Sequence, residues 1–253
     1  MEFIKTSYKD GLYRLTLDNP PLNILNTKMM QEMWTAIIEV CEISDIKLLI
    51  IQAEGKAFSA GADVGEHLPD KVDEMIHAFD RIFLSMCKVK APVISLVQGA
   101  CLGAGCEIAL FSDMVIASDK AKFGQPEILL GAIPPIAAAV LPRMIGMKKA
   151  MEIILTGRTY TAAEWLSMKL ANYVYPAEEF ASESENFIAK LAALSAPVLQ
   201  IAKKSILASN QIDFTVNVNE AEKIYLGKLV RLHDAEEGLR AFMEKRKPIW
   251  RNE

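Results

Sequence analysis

Histidine and cysteine are scarce in this chain, whose 253 residues contain three of the first and four of the second. No C-x-x-C spacing occurs, and His67, His77 and His233 are far from Cys106 in sequence, so a metal site, a disulfide framework and a Cys–His nucleophile all lack their usual starting materials. Cys41, Cys87, Cys101 and Cys106 fall in apolar or helical surroundings and are expected to be buried, reduced thiols. Long apolar runs are also missing. No stretch approaches the roughly 18 residues of a membrane span, and Met1-Glu2-Phe3-Ile4-Lys5 leads into a strand pattern rather than a signal peptide. The expectation is a cytoplasmic protein with no membrane partner. Basic charge is not in excess: the net charge is −4, so nucleic acid is not an expected partner. The Gly-Lys-Ser/Thr ending of a phosphate loop and the G-x-G-x-x-G of a dinucleotide site are absent.

What is present is a chain that is 51% hydrophobic and 24% charged, enough for one large domain or a domain with an appendage. Two short strand patterns, Phe3 to Tyr8 and Leu12 to Leu17, flank the turn signal Lys9-Asp10-Gly11 and predict a hairpin. Asn26-Thr27 offers a cap for a helix from about Lys28 to Glu42, with Met29, Met33, Ile37 and Val40 on one face. Lys47 to Gln52 is a short, continuously apolar run of the kind found in parallel strands covered on both faces, which points to an α/β fold. An amphipathic helix from Asp70 to about Lys88 leads to the strand Val93–Val97. Further strands are expected at Asp113 to Ala117, Ala121 to Phe123 and Ala171 to Tyr175. From about Glu178 the pattern is helical, with segments at Glu178–Leu194, Pro197–Ala208, Phe214–Leu232 and Ala235–Lys245. A core over residues 1–195 and a helical region over 196–253 are the expected organisation.

Three stretches carry chemistry. Gly103-Ala104-Gly105-Cys106-Glu107 reads as a tight turn opening a buried helix, where unpaired N–H groups and the helix dipole favour a developing negative charge, with a carboxylate close by. Gly55 to Asp63 is a run of small residues; it is either a tight connection or a loop whose backbone, near Gly61 and Ala62, approaches a ligand. Glu127 follows Pro126 and precedes an apolar run, as a first-turn helix glutamate or as a carboxyl held in a pocket. Glutamates are rarely buried unless paired or functional.

Ala57-Phe58-Ser59-Ala60-Gly61-Ala62-Asp63, Gln98 to Glu107, and Phe123-Gly124-Gln125-Pro126-Glu127 resemble the three signature blocks of the enoyl-CoA hydratase (crotonase) family, and the resemblance runs from the N-terminal hairpin to Ala241–Lys247. It implies a spiral of ββα units with a C-terminal helical region that forms a homotrimer or a dimer of trimers, and an acyl-CoA thioester as substrate. No cofactor is implied beyond the coenzyme A of the substrate itself. By the same resemblance, the N–H groups of Ala62 and Ala104 form an oxyanion hole. Glu107 deprotonates the attacking water, and Glu127 supplies a proton to the α carbon. Leu22, Ala60, Gly61, Asp63, Gly103, Phe242 and Lys245 meet the coenzyme A thioester. Pro135 borders the acyl pocket, where its ring stiffens the wall and removes a donor. Gly65 stands where many relatives carry a lysine. The segments Asn19–Leu25 and Pro134–Val140 are similar to those of hydratases acting on alicyclic dienoyl thioesters such as cyclohexa-1,5-diene-1-carbonyl-CoA. Alternative functions on the same framework are an enoyl-CoA isomerase, an acyl-CoA hydrolase, or a non-catalytic CoA- or RNA-binding scaffold.

Overall fold

In the computed structural model, which describes residues 1–68, 70–208, 228, 231–234, 237, 241 and 244–253, the hairpin is β1 (Ile4–Lys9) and β2 (Leu12–Leu17). Asp10 and Gly11 turn it with positive φ. Helix α1 (Thr27–Glu42) begins where Asn26 accepts the N–H of Met29 at 2.8 Å, satisfying one orphan donor of the first turn. Its stripe of Met29, Met30, Met33, Ala36, Ile37 and Val40 is buried, each large side chain contributing about 1.5–3 kcal/mol. This stripe packs towards α2 (Val72–Met86).

The larger sheet adds β3 (Leu48–Ala53), β4 (Val93–Val97), β6 (Met114–Ser118) and β9 (Tyr173–Tyr175) to the hairpin in the order β1-β2-β3-β4-β6-β9, parallel from β2 onward. Strand alternation divides its faces. Leu49, Ile51, Val93, Val97 and Val115 enter the main core with α1, α2 and α3 (Ala104–Phe111), while Leu48, Ile50, Ile94, Leu96 and Ile116 meet Ile188 of α7 (Phe180–Ala192). A smaller sheet holds β5 (Ala100–Leu102), β7 (Lys122–Gly124) and β8 (Thr159–Thr161). Two successive turns of the chain, β4–β5 and β6–β7, each give one strand to the large sheet and a short one to the small sheet before entering a helix or 3-10 turn. β5 and β8 are three-residue segments that the sequence pattern does not announce.

Past β7 the described residues are largely helical. α4 (Pro135–Ile145) and α5 (Met147–Thr156) precede β8. α6 (Ala162–Ser167) opens on a capping box, Thr161 and Glu164 satisfying each other's backbone N–H groups. α8 (Ala196–Ala208) returns to the core through Gln200, which donates to the carbonyls of Ser44 and Ile46, and through Lys203, which pairs with Asp113 at 2.7 Å. The C-terminal residues are tied to the same region by the buried Asp234, which accepts from Ser195 Oγ and from the N–H groups of Arg251 and Asn252. The expected helices over 214–232 and 235–245 lie largely outside the described residues, as does Phe242. One cysteine departs from expectation: Cys101 and Cys106 are buried and Cys41 half-buried, but Cys87 is exposed because it caps α2 at the point where the helix leaves the core.

Asn23 locks the loop that precedes α1 onto the loop that follows β3. It is buried, donates to the carbonyls of Glu54 and Ala57 at 2.9 and 2.8 Å, accepts from Asn19 N at 2.8 Å, and adopts φ 50°. Asn23→Ala orphans these partners in a left-handed conformation, with an expected loss of about 2–4 kcal/mol, or roughly 5–10 °C in Tm. Asn23→Gly loses the same side-chain hydrogen bonds but tolerates the left-handed backbone, and should melt higher than Asn23→Ala. Equal melting of the two variants would show that the left-handed backbone carries none of the cost.

Candidate active site

The site is assembled by the register of the small sheet. Ser59 bridges Cys101, and Cys101 pairs with Phe123, so three segments run side by side in register. The chain leaving them becomes Ala60-Gly61-Ala62, Gly103-Ala104 and Gln125-Pro126-Glu127. Leu102 N donates to Ser59 O at 2.9 Å and Gly103 N to Gly124 O at 3.0 Å, holding the loops together. Ala60 N donates to Leu22 O, and Leu25 both donates to Gly61 O and accepts from Asp63 N, which pins the outer loop. Ala62 N and Ala104 N donate to no other group among the described residues. Both residues line one cavity, and each stands three positions past its register-matched partner, Ser59 or Cys101.

Gly103 is required at the crossing of these loops. Its φ is 51°, and a Cβ there would stand 2.8 Å from Glu127 Oε1 and 3.7 Å from Gly61 Cα. The backbone turns inside a space that Glu127 and the neighbouring loop leave only for hydrogen.

Glu107 lies in the first turn of α3, a helix buried along its length up to Leu110, and is itself 2% exposed. Burying an ionised carboxylate costs several kcal/mol unless it is well hydrogen-bonded. Here Oε1 accepts the N–H groups of Ile136 at 2.8 Å and Ala137 at 2.9 Å. These are orphan donors of the first turn of α4, where the helix dipole also favours negative charge. Pro135 occupies the first position of that helix, where its missing N–H is no loss. The Pro135 segment thus both walls the cavity and fixes a carboxyl. Burial pushes Glu107 up to about 8, against the pull of the two backbone donors and with a further push from Glu127. Glu127, in the 3-10 turn Pro126–Leu130, is raised to about 7 chiefly by burial. The buried Gln125, with its amide nitrogen facing Glu127, donates to both carboxylate oxygens at 3.1 and 3.3 Å.

The cavity has a volume of about 150 Å³. Of the residues expected at the site from sequence, it brings together Ala60, Gly61, Ala62, Gly103, Ala104, Glu107, Glu127 and Pro135. Leu22 and Asp63 stand outside its wall: Leu22 supports the Ala60 loop through its carbonyl, and the Asp63 side chain caps the turn Val64–His67 by accepting Gly65 N at 2.7 Å. Lys245 is exposed, with φ 55°. Met75, Ile76 and Phe79 of α2, together with Leu130 and Ile133, supply the apolar lining. Sequence periodicity marked α2 as amphipathic without separating side chains facing a cavity from those facing a packed core. His67 also lines the cavity at its exposed rim.

The raised pKa of Glu107 has a definite sign. Between the ordinary glutamate value near 4.5 and about 8 the folded protein holds a proton that the unfolded chain has lost, so this group's contribution to stability falls as pH rises through that window. Thermal melts of wild type and Glu107→Gln at pH 5.5 and 8.5 should show wild type losing roughly 5 °C or more relative to the variant at the higher pH. Parallel melting at both pH values would mean that Glu107 ionises at its ordinary value.

The chain matches the enoyl-CoA hydratase/isomerase family over residues 7–253. It is 36% identical over 253 residues to a probable mitochondrial enoyl-CoA hydratase of Dictyostelium discoideum, covering 98% of this chain and 90% of that protein. It is 34% identical over 245 residues to the cyclohexa-1,5-dienecarbonyl-CoA hydratase of Thauera aromatica, covering 96% and 95%. The crystal structure of human enoyl coenzyme A hydratase domain-containing protein 3 superimposes with a TM-score of 0.92 at 29% identity, covering 98% of this chain and 100% of that one. An enoyl-CoA hydratase from Bacillus anthracis superimposes with a TM-score of 0.90 at 28% identity, covering 99% and 100%. With its α/β spiral and a match along almost its whole length, the chain belongs to the enoyl-CoA hydratase/isomerase family and has the crotonase fold.

Proposed function

We propose that the protein is a hydro-lyase that adds water across, or removes it to form, the C=C bond of an enoyl-CoA thioester. The observation that carries this reading is the placing of a buried carboxyl, Glu107, and a half-buried one, Glu127, against one turn whose next residue, Ala104, lines the same cavity with an N–H that donates to no other group among the described residues. In the forward direction Glu107 takes a proton from water as its oxygen bonds to the β carbon. The C=C electrons move towards the thioester oxygen, which Ala62 N and Ala104 N hold. Fixed donors of this kind contribute about 3–4 kcal/mol each in other enzymes. Glu127, protonated, then gives its proton to the α carbon, so that H and OH are added in total. Both carboxyls have values raised towards neutrality, which suits a pair that holds one proton between them. An isomerase needs no carboxylate reserved for water, so the presence of both glutamates favours hydration.

The coenzyme A moiety is assigned to the Ala60–Asp63 loop, the Leu22 backbone, Phe242 and Lys245, as the family resemblance implies. For the acyl group we favour an alicyclic dienoyl thioester. A cavity of about 150 Å³ is of the size that holds one benzene ring in another protein, and Pro135 gives its wall a rigid edge. Exposed apolar side chains on α4, α5 and α8, among them Met147, Met151, Leu155, Ile206 and Leu207, support self-association as a homotrimer or a dimer of trimers. Sedimentation should then give a mass of three or six chains, and a monomer at micromolar concentration would refute that assembly.

Hydration followed by loss of enoyl absorbance, with straight-chain and cyclic thioesters, tests the chemistry. Glu107→Gln and Glu127→Gln should each lose at least about 100-fold in kcat with acyl-CoA binding largely kept. Near-wild-type turnover in either variant would sink the two-glutamate mechanism.

A further inference from the structure

One polar side chain of the cavity wall has no part in this chemistry. Beside Glu107 and Glu127, the side chains described along the wall are apolar or small except for His67. It ends the 3-10 turn Val64–His67, which is capped by Asp63, the residue following the oxyanion donor Ala62. The turn carries the chain on from Ala62 to His67, which lines the same cavity at its exposed rim. His67 Nδ1 lies 2.9 Å from the Asp63 carbonyl oxygen. A carbonyl only accepts, so Nδ1 carries the hydrogen and, in the neutral ring, Nε2 is left as a lone-pair acceptor. The backbone thereby selects the tautomer, and the polar atom that the ring has left for a ligand is Nε2.

We propose that His67 Nε2 accepts a hydrogen bond from a hydroxyl on the distal part of the acyl group, making hydroxylated acyl thioesters the class this cavity prefers. An acceptor among Val64, Met75, Ile76, Phe79 and Ile133 gives an unsubstituted aliphatic tail nothing that a methionine or leucine would not give better. A carboxylate tail is disfavoured, because Nε2 offers it no hydrogen and the glutamate pair repels it. The inference rests on the hydratase reading for the acyl group's location in this cavity.

Saturated thioesters separate the two, since they bind without being hydrated. Calorimetric titration would compare hexanoyl-CoA, its 4-, 5- and 6-hydroxy derivatives and adipoyl-CoA on wild type, His67→Met and His67→Gln. The expected result is that at least one hydroxy derivative binds wild type about 3- to 10-fold more tightly than hexanoyl-CoA. The advantage should vanish in His67→Met and be partly kept in His67→Gln, while hexanoyl-CoA binds all three alike, showing that they are folded. No gain from any hydroxyl, a gain that survives His67→Met, or tightest binding of adipoyl-CoA would overturn the proposal. Failure to hydrate any enoyl thioester would overturn the hydratase reading and leave these binding ratios to be read on their own.

Discussion

The contact between Glu107 Oε1 and the first turn of α4 is the constraint on which the site depends. A carboxyl in the middle of a buried helix needs partners, and α3 has none to give, since its neighbours are Ile108, Ala109 and Leu110. α4 supplies two N–H groups that its own helix cannot use. The bond joins segments about thirty positions apart in sequence and decides where α4 starts, so the cavity wall built on Pro135 and the carboxyl facing it are set by one interaction. It also occupies Oε1 with two donors, so that this oxygen can hold no proton without losing them. Oε2 is therefore where a proton arrives or leaves.

The second constraint is register. In parallel strands neighbouring residues keep the same offset, so pairing Ser59 with Cys101 and Cys101 with Phe123 carries the three following loops to one edge of the small sheet together. A spiral that repeats this unit makes a site from loops without any long excursion of the chain. Ala62 and Ala104 occupy equivalent places in consecutive turns, and neither N–H donates to another group among the described residues. The side chain at these positions is of little consequence to the donor. The glycine between Leu102 and Ala104 is different, since Glu127 Oε1 stands where its Cβ would be.

How far the sequence revealed this depended on the kind of signal involved. Local ones were legible: the Asn26 cap, the capping box at Thr161 and Glu164, the continuous apolar runs of β3 and β4, and the glycines and glutamates of the three blocks. β5 and β8 were not, because three residues cannot show a period, and they are defined only by their partners. The Glu107–α4 bond was invisible because its donors are backbone atoms, indifferent to the identities of Ile136 and Ala137. Gln125 was passed over beside Glu127, although a buried amide two residues from a carboxyl is the signal that would have found it. His67 is exposed, and the path of the turn after Ala62 brings it to the cavity rim.

The division of labour between the glutamates follows from how they are held. Burial raises both, Glu107 to about 8 and Glu127 to about 7, and the hydration proposed above begins with the proton of the pair on Glu127. A difference near one unit costs only about 1.4 kcal/mol, small beside the barrier to adding water to a double bond. In the proposed hydration Glu107 gains a proton and Glu127 loses one. The same near-balance lets the reverse reaction start without a large penalty. A pair with values several units apart would favour one direction of proton flow, whereas the values of this pair, which shares one cavity, lie close together.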